Sequence, residues 1–305
     1  MPPDADRILF PASHLAAEVA TQPDDWARAA TLAAVHRDRL PAPGERVAVI
    51  GCGTSLFMAR AFAALRESAG QGLTDAWSAS ELRTARDYDR YLVICRSGTT
   101  TEVLAAMSAL PDGIPRTVIS SSPGTPALSL AEPVLIDEVD EKSVVQTRFA
   151  TTTLALLRHH LGEDLTPVIA QARRVLAEDP AESLARVRDA EQITFVGMGF
   201  AAALAEEAAL KLRESCQAWT ESYLATEYRH GPISIAAPGR VVWALGSLVA
   251  GLADDIAATG AHVEHRPVDP LAELVRVHRL CLLRSADLGL NPDQPRSLNR
   301  SVILD

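Results

Sequence analysis

Along the chain, short apolar runs alternate with longer stretches in which apolar residues recur every three or four positions. This alternation predicts strands and helices in turn. Residues 13–38, rich in Ala and Leu, predict a helix or two, with Gln22-Pro23 breaking the pattern near the middle and a polar link from Pro41 to Glu45 ending it. Val47–Ile50 predicts a short buried strand, Ser55–Arg66 a helix, Tyr91–Cys95 a strand and Thr101–Leu110 a helix. Arg116–Ser120 and Pro133–Ile136 predict further strands, and Val144–Leu161 a long helix. A helical linker from Leu165 to Asp189 leads to a strand at Ile193–Val196 and a strongly helical run at Ala201–Cys216. Then come a strand at Val241–Leu245, a helix at Leu248–Thr259, a strand at Ala261–His265 and a helix from Leu271 to Ala286. Strands and helices at this spacing imply βαβ units and parallel sheets.

The strand–GxG–helix unit at Val47–Arg66 recurs at Ile193–Cys216, which implies two α/β units related by internal duplication. The expected division is an N-terminal helical segment (1–44), a first unit (45–165), a linker helix (166–189), a second unit (190–290) and a tail (291–305). The fold class is therefore α/β: two subdomains, each a parallel sheet flanked by helices in a three-layer, flavodoxin-like arrangement. The Pro- and Asn-rich tail, NPDQPRSLNRSVILD, is not periodic and is expected to be an ordered extension.

Composition narrows the function. The chain has 305 residues, 48% of them apolar and 22% charged, enough for a sizeable core and unlike a disordered protein. A net charge of −10 argues against nucleic-acid binding, which needs a basic face. No apolar run approaches the roughly 18–20 residues that span a bilayer, and the first ten residues lack a basic segment followed by an apolar core. The expectation is a cytoplasmic protein with no membrane partner. The four cysteines, Cys52, Cys95, Cys216 and Cys281, form no C-x-x-C pair, and His159-His160 reads as a helix-end pair, so no metal site is expected. Only two lysines occur, Lys142 and Lys211.

Three segments carry candidate chemistry. Gly51-Cys52-Gly53-Thr54-Ser55 follows a buried strand and opens a helix, where glycines permit a tight turn and the helix N-terminus favours an anion; alone it is equally a plain tight turn. It lacks the third glycine of a dinucleotide fingerprint, Leu56 standing there, and the G-K-[ST] of a P-loop, so neither NAD nor ATP is expected. Cys95-Arg96-Ser97-Gly98-Thr99-Thr100-Thr101-Glu102 also lies between a strand and a helix. It gathers hydroxyls, a guanidinium and backbone N–H groups suited to a phosphate monoester, though Thr99 with Glu102 also fits a capping box. Two such turns in adjacent units of a parallel sheet meet at one carboxyl edge, which favours phosphate binding. In Ala209-Leu210-Lys211-Leu212-Arg213-Glu214, Lys211 and Glu214 share a helix face, as a surface ion pair would; His230 precedes Gly231-Pro232 in a turn. A carboxylate and a histidine are the minimal equipment for moving protons on a sugar carbonyl.

Together, Gly51–Ser55, Arg96–Thr100, Ala209–Glu214 and Arg229-His230-Gly231-Pro232 resemble the sugar isomerase (SIS) domain family, in the double-SIS arrangement of the isomerase half of glucosamine-6-phosphate synthase and of the aminosugar-phosphate deaminases and fructosamine-6-phosphate deglycases. The resemblance covers roughly residues 15–305 and implies aldose–ketose isomerisation of a hexose 6-phosphate or its amino analogue, with or without deamination. By this resemblance Gly53, Thr54, Ser55, Arg96, Ser97, Thr99 and Thr100 would hold the phosphate. Glu214 would shuttle the proton, Lys211 beside it would bind a sugar hydroxyl or tune its charge, and His230 would assist ring opening from a neighbouring subunit, so that a homodimer shares its sites. Val144, Gln146 and Thr147 resemble the family's lid over the sugar, and the segment from Asp293 to Val302 its closing C-terminal loop; no cofactor is implied. Three departures stand out. Cys95 replaces the first serine of the second loop. Arg300 stands where the synthase has a catalytic lysine; it stays protonated and cannot form an imine, while Asn299-Arg300 resembles the tail of galactosamine-6-phosphate-type deaminases. No glutaminase unit precedes the first sheet, so the resemblance implies no ammonia from glutamine. A different class, a non-catalytic sugar-phosphate sensor, would have no need of both Glu214 and His230.

Overall fold

The computed structural model describes residues 13–83 and 85–304; the first twelve residues of the expected N-terminal segment and Asp305 of the tail lie outside them. The described chain runs α1 (His14–Val35), β1 (Val47–Gly51), α2 (Thr54–Ser68), β2 (Thr74–Ser78), β3 (Arg90–Ile94), α3 (Thr101–Ser108), β4 (Arg116–Ser120), α4 (Ala127–Leu130) and β5 (Glu132–Leu135). It continues through α5 (Arg148–His160), α6 (Thr166–Ala177), α7 (Pro180–Ser183) and α8 (Ala185–Arg188). The second half comprises β6 (Gln192–Gly197), α9 (Phe200–Cys216), β7 (Thr220–Leu224), β8 (Arg240–Leu245), α10 (Leu252–Ala258), β9 (His262–His265) and α11 (Pro270–Asp287).

The strands form two parallel sheets, ordered β2-β1-β3-β4-β5 and β7-β6-β8-β9. The second repeats the first without its fifth strand. In each, the chain leaves the first strand in one direction and returns on its other side, so that a switch point lies between β1 and β3, and another between β6 and β8. In parallel sheets ligands bind at such crevices, outside the carboxyl ends of the strands. Backbone geometry repeats as well: Gly53 caps α2 at φ 54°, ψ −127°, and Gly199 caps α9 at φ 56°, ψ −130°. That left-handed-side conformation suits glycine. A Cβ on Gly51 would lie 2.6 Å from the Ser55 carbonyl carbon, and one on Gly197 would collide with Ala201 in the same way.

One face of each sheet contributes to a single core. Val49, Leu92 and Ile119 of the first sheet and Phe195, Val241 and Trp243 of the second belong to one buried cluster with α1, α2, α5, α6, α9 and α11. Separate clusters cover the outer faces, under α3 for the first sheet and α10 for the second. Helix α9 packs against α2, and that contact carries chemistry from the second unit to the switch point of the first.

Four expectations are corrected. The first helix does not break at Pro23: it runs unbroken from His14 to Val35. Proline removes the N–H that would meet the Val19 carbonyl, and the Gln22 side-chain amide donates to that oxygen instead, at 3.3 Å. Residues 144–147 are not helical; α5 starts at Arg148, where the buried Glu141 carboxylate accepts from the Thr147 and Arg148 N–H groups at 2.5 and 2.7 Å. The Leu248–Thr259 helix is shorter, Leu252–Ala258. Finally, β2 and β7 are strands that periodicity misses, because both are half-exposed sheet edges carrying polar residues, TDAWS and TESYL.

Candidate functional site

A cavity of about 280 Å³ opens at the β1–β3 switch point. The turns after β1 and β3 supply Gly53, Thr54, Ser55, Arg96, Ser97 and Thr100; α9 supplies Leu210 and Glu214; the segment before α5 supplies Val144 and Gln146; and residues 298–302 of the tail close the remaining side. Five segments far apart in sequence thus converge where the topology favours a ligand.

The hydroxyls of Ser97, Thr99 and Thr100 gather around the Ser301 hydroxyl, at 3.2, 3.0 and 3.3 Å. Beside them the first N–H of α3, that of Thr101, donates to the Val302 carbonyl at 3.1 Å. Thr100 is the N-cap of α3 and its side chain makes no capping bond, so the Thr99–Glu102 capping box is not formed and these hydroxyls turn to Ser301 instead. Tail oxygens therefore occupy a cup of hydroxyls at a helix N-terminus, the kind of place an anion takes.

The cations near the cup are already paired. The buried Arg96 guanidinium contacts Glu141 at 3.1 Å and the carbonyls of Ser143, Val144 and Arg300 at 3.2, 3.0 and 3.4 Å. Its side chain ties the lid segment and the tail to the second turn through both terminal nitrogens, and its Nε is buried without a partner. Arg300 lines the cavity, but its guanidinium turns to Asp140, Ser122 and the Glu141 carbonyl. Thr147 stands behind the wall, bonded to Glu141. Gln146 does face the cavity, and its Oε1 is buried without a partner, which leaves an acceptor for a ligand hydroxyl.

On α9, Lys211 is buried between two carboxylates, 2.5 Å from Glu214 and 3.5 Å from Glu207. Glu214 alone of the three reaches the cavity. Glu207 also accepts from the Thr54 hydroxyl at 3.2 Å, so the first turn is linked to Lys211 through one carboxylate. Burial lowers the affinity of Lys211 for its proton, but the two carboxylates outweigh it and raise its pKa, so the lysine stays cationic. Glu207 goes the other way: burial outweighs the lysine, and its pKa rises from the ordinary 4.5 to about 7. Glu207 is not among the candidate residues that the sequence motifs single out. The signal was present, because Glu207, Lys211 and Glu214 lie four and three residues apart on one helix face.

A raised folded-state pKa stabilises the fold fully below the ordinary value and loses that contribution as pH climbs through the shifted one. Wild-type protein is thus expected to lose stability, on the order of 2 kcal/mol, between pH 4.5 and about 7. Glu207→Gln should flatten that slope. Thermal melts of both proteins across the range check it; parallel slopes would contradict the assignment.

His230 is exposed on a 3-10 turn, Tyr228–His230, and does not line this cavity. Among the described residues no group of three or more His, Cys, Asp and Glu side chains is placed to hold a metal, and no helix is long and apolar enough to cross a membrane.

No protein-family model matches the chain. It is 27% identical over 307 residues to a glutamine–fructose-6-phosphate aminotransferase (isomerizing) of Methanothermobacter thermautotrophicus and 29% identical over 317 residues to the Gloeobacter violaceus protein of that name, matching 86% of this chain in each case. The chain spans about half the length of these curated relatives, 52% of each. Among solved structures, a glucosamine-6-phosphate deaminase from Thermotoga maritima superposes with a TM-score of 0.81 at 21% identity, covering 96% of this chain and all of that one. A tagatose-6-phosphate ketose/aldose isomerase from Escherichia coli gives 0.77 at 18% identity, covering 94% and 97%. The two-sheet α/β fold is the one these proteins have.

Proposed function

We propose that this chain is a phosphosugar isomerase of the double-SIS kind, one that interconverts the aldose and ketose forms of a hexose 6-phosphate or of its 2-amino analogue. The observation that carries this reading is one cavity with a cup of hydroxyls at a helix N-terminus on one side and Glu214, backed by a buried lysine, on another.

The phosphate takes the place of the Ser301 hydroxyl, receiving hydrogen bonds from Ser97, Thr99 and Thr100 and from backbone N–H groups of the Gly53–Ser55 and Arg96–Thr100 turns. With the cations near the cup already paired, hydroxyls and helix termini do the binding. The sugar extends towards α9, where Gln146 meets a hydroxyl. Glu214 removes the proton from C2 and returns it to C1 through an enediol, and Lys211 steadies its charge. When C2 carries an amine, the same transfer gives an imine that water hydrolyses, releasing ammonia. Relatives and neighbours named for amination, deamination and ketose/aldose isomerisation of 6-phosphosugars support one site serving these outcomes. His230 assists ring opening in a second copy of the chain, so the working unit is a homodimer. Mixed dimers of Glu214→Gln and His230→Asn chains should regain part of the activity that each loses alone; no recovery in verified hybrids would mean that each site comes from one chain.

The direct test is a panel of hexose and 2-aminohexose 6-phosphates, with product and released ammonia followed together. Turnover of at least one compound is expected. Ser97→Ala should raise KM for it, on the order of tenfold, through the loss of a charge-assisted bond. Binding without turnover across the panel would point instead to a sugar-phosphate sensor. Unchanged affinity in a Ser97→Ala, Ser55→Ala double variant would remove the phosphate from these turns.

A further inference from the structure

Two of the four thiols face the same cavity, and the sheet puts them side by side. The β1–β3 register pairs Ile50 with Val93. Cys52 and Cys95 each lie two residues beyond these partners, the first residues past the ends of β1 and β3. Both pack against the outer cluster that contains Ile50 and Val93. Both line the cavity. Neighbouring parallel strands run about 4.8 Å apart, and disulfides form across Cα separations of roughly 4.4–6.8 Å. Cys95 also enters the hydroxyl cup, with its Sγ 3.9 Å from the hydroxyls of Ser97 and Thr100. The other two, Cys216 and Cys281, are buried in the central core, away from the cavity.

We propose that Cys52 and Cys95 are a redox-active thiol pair, a modification site at which hydrogen peroxide closes a disulfide between the ends of β1 and β3 and takes the Cys95 sulfur out of the hydroxyl cup. Cys52, the half-buried member, reacts first. Its thiolate attacks one peroxide oxygen, the O–O bond breaks and hydroxide leaves, giving a sulfenic acid. The Cys95 sulfur then attacks the Cys52 sulfur; the S–O bond breaks, and the oxygen leaves as water with the thiol proton. Two thiols and one peroxide become one disulfide and two waters, the thiol pair giving two electrons. Burial raises the Cys52 pKa, so the thiolate is scarce and its reaction with peroxide is slow. The cross-link turns the Cys95 sulfur away from the Ser97 and Thr100 hydroxyls and ties the two turns to each other, so anion binding in the cup weakens. That last consequence rests on the phosphate-site reading above; the cross-link itself does not.

The test uses the reduced full-length chain, exposed to hydrogen peroxide with and without saturating inorganic phosphate, quenched with iodoacetamide under denaturing conditions, and read by intact mass and peptide mapping. The expected result is a loss of two hydrogens and a peptide pair joined through Cys52 and Cys95. Dithiothreitol should reverse it, phosphate should slow it, and Cys52→Ser or Cys95→Ser should each prevent it. Recovery of both cysteines fully alkylated overturns the proposal, as does a cross-link confined to Cys216 and Cys281, or oxidation of Cys52 to a sulfinic acid without a cross-link. A Cys52–Cys95 cross-link that phosphate does not slow upholds the thiol pair and counts against the phosphate site.

Discussion

Glu214→Gln is expected to lower turnover of the sugar phosphate by roughly 10²–10⁴-fold, the worth of a positioned acid–base group, while leaving substrate binding intact. The reasons are geometric. Glu214 is the one carboxylate of the α9 trio that reaches the cavity, whereas Glu207 is sealed behind it. Glutamine keeps the shape and the contact with Lys211 but cannot take a proton from carbon. The fold should survive, because Lys211 keeps Glu207 as its charged neighbour. Steady-state kinetics with a parallel thermal melt separate these effects. A variant with an unchanged melt and near wild-type kcat would transfer the role to another group.

Lys211→Met is expected to be the most damaging single change to both stability and activity. The lysine is 1% exposed and is the cation between two carboxylates. Its removal leaves buried negative charge uncompensated, which costs about 3–5 kcal/mol, and drives the carboxylates towards their protonated forms. A protonated Glu214 cannot act as base, so turnover falls with stability. A second variant separates the two effects. In Lys211→Met with Glu207→Leu, the sealed carboxylate is gone too, so stability should recover while activity does not. Chemical denaturation and turnover of wild type, single and double variants make the comparison. Full stability in the single variant would mean that the carboxylates are neutral or solvated already.

The parts of this molecule that the sequence makes legible are those where burial writes a pattern. β1, β3, β6 and β8 lie at sheet centres, and their continuous apolar runs leave few alternatives. The glycine turns after β1 and β6 repeat because the same tight passage from strand to helix is needed twice. The candidate residues of the two turns other than Thr99, together with Glu214, Gln146 and Arg300, line one cavity. Edge strands β2 and β7 were illegible because half their side chains meet water. The continuity of α1 was hidden because a side-chain amide, and not the backbone, satisfies the carbonyl beneath Pro23. The start of α5 is fixed by Glu141, seven residues before Arg148, through a carboxylate that no local rule places there. Arg96 and Arg300 read as free cations in sequence; their partners, Glu141 and Asp140, sit on a remote loop that only the fold brings near. Ser301 reaches the hydroxyl cup from the other end of the chain, and no spacing announces it.

The measurement that tests the central claim most directly is proton exchange at carbon. Each hexose and 2-aminohexose 6-phosphate is incubated with the protein in deuterium oxide and read by NMR. Transfer of the C2 proton through Glu214 predicts deuterium at C1 or C2 of the turned-over compound with wild-type protein, and its loss in Glu214→Gln. Incorporation at the wild-type rate in Glu214→Gln, or turnover with no deuterium and no proton transfer between C1 and C2 in a C2-deuterated substrate, would contradict the account.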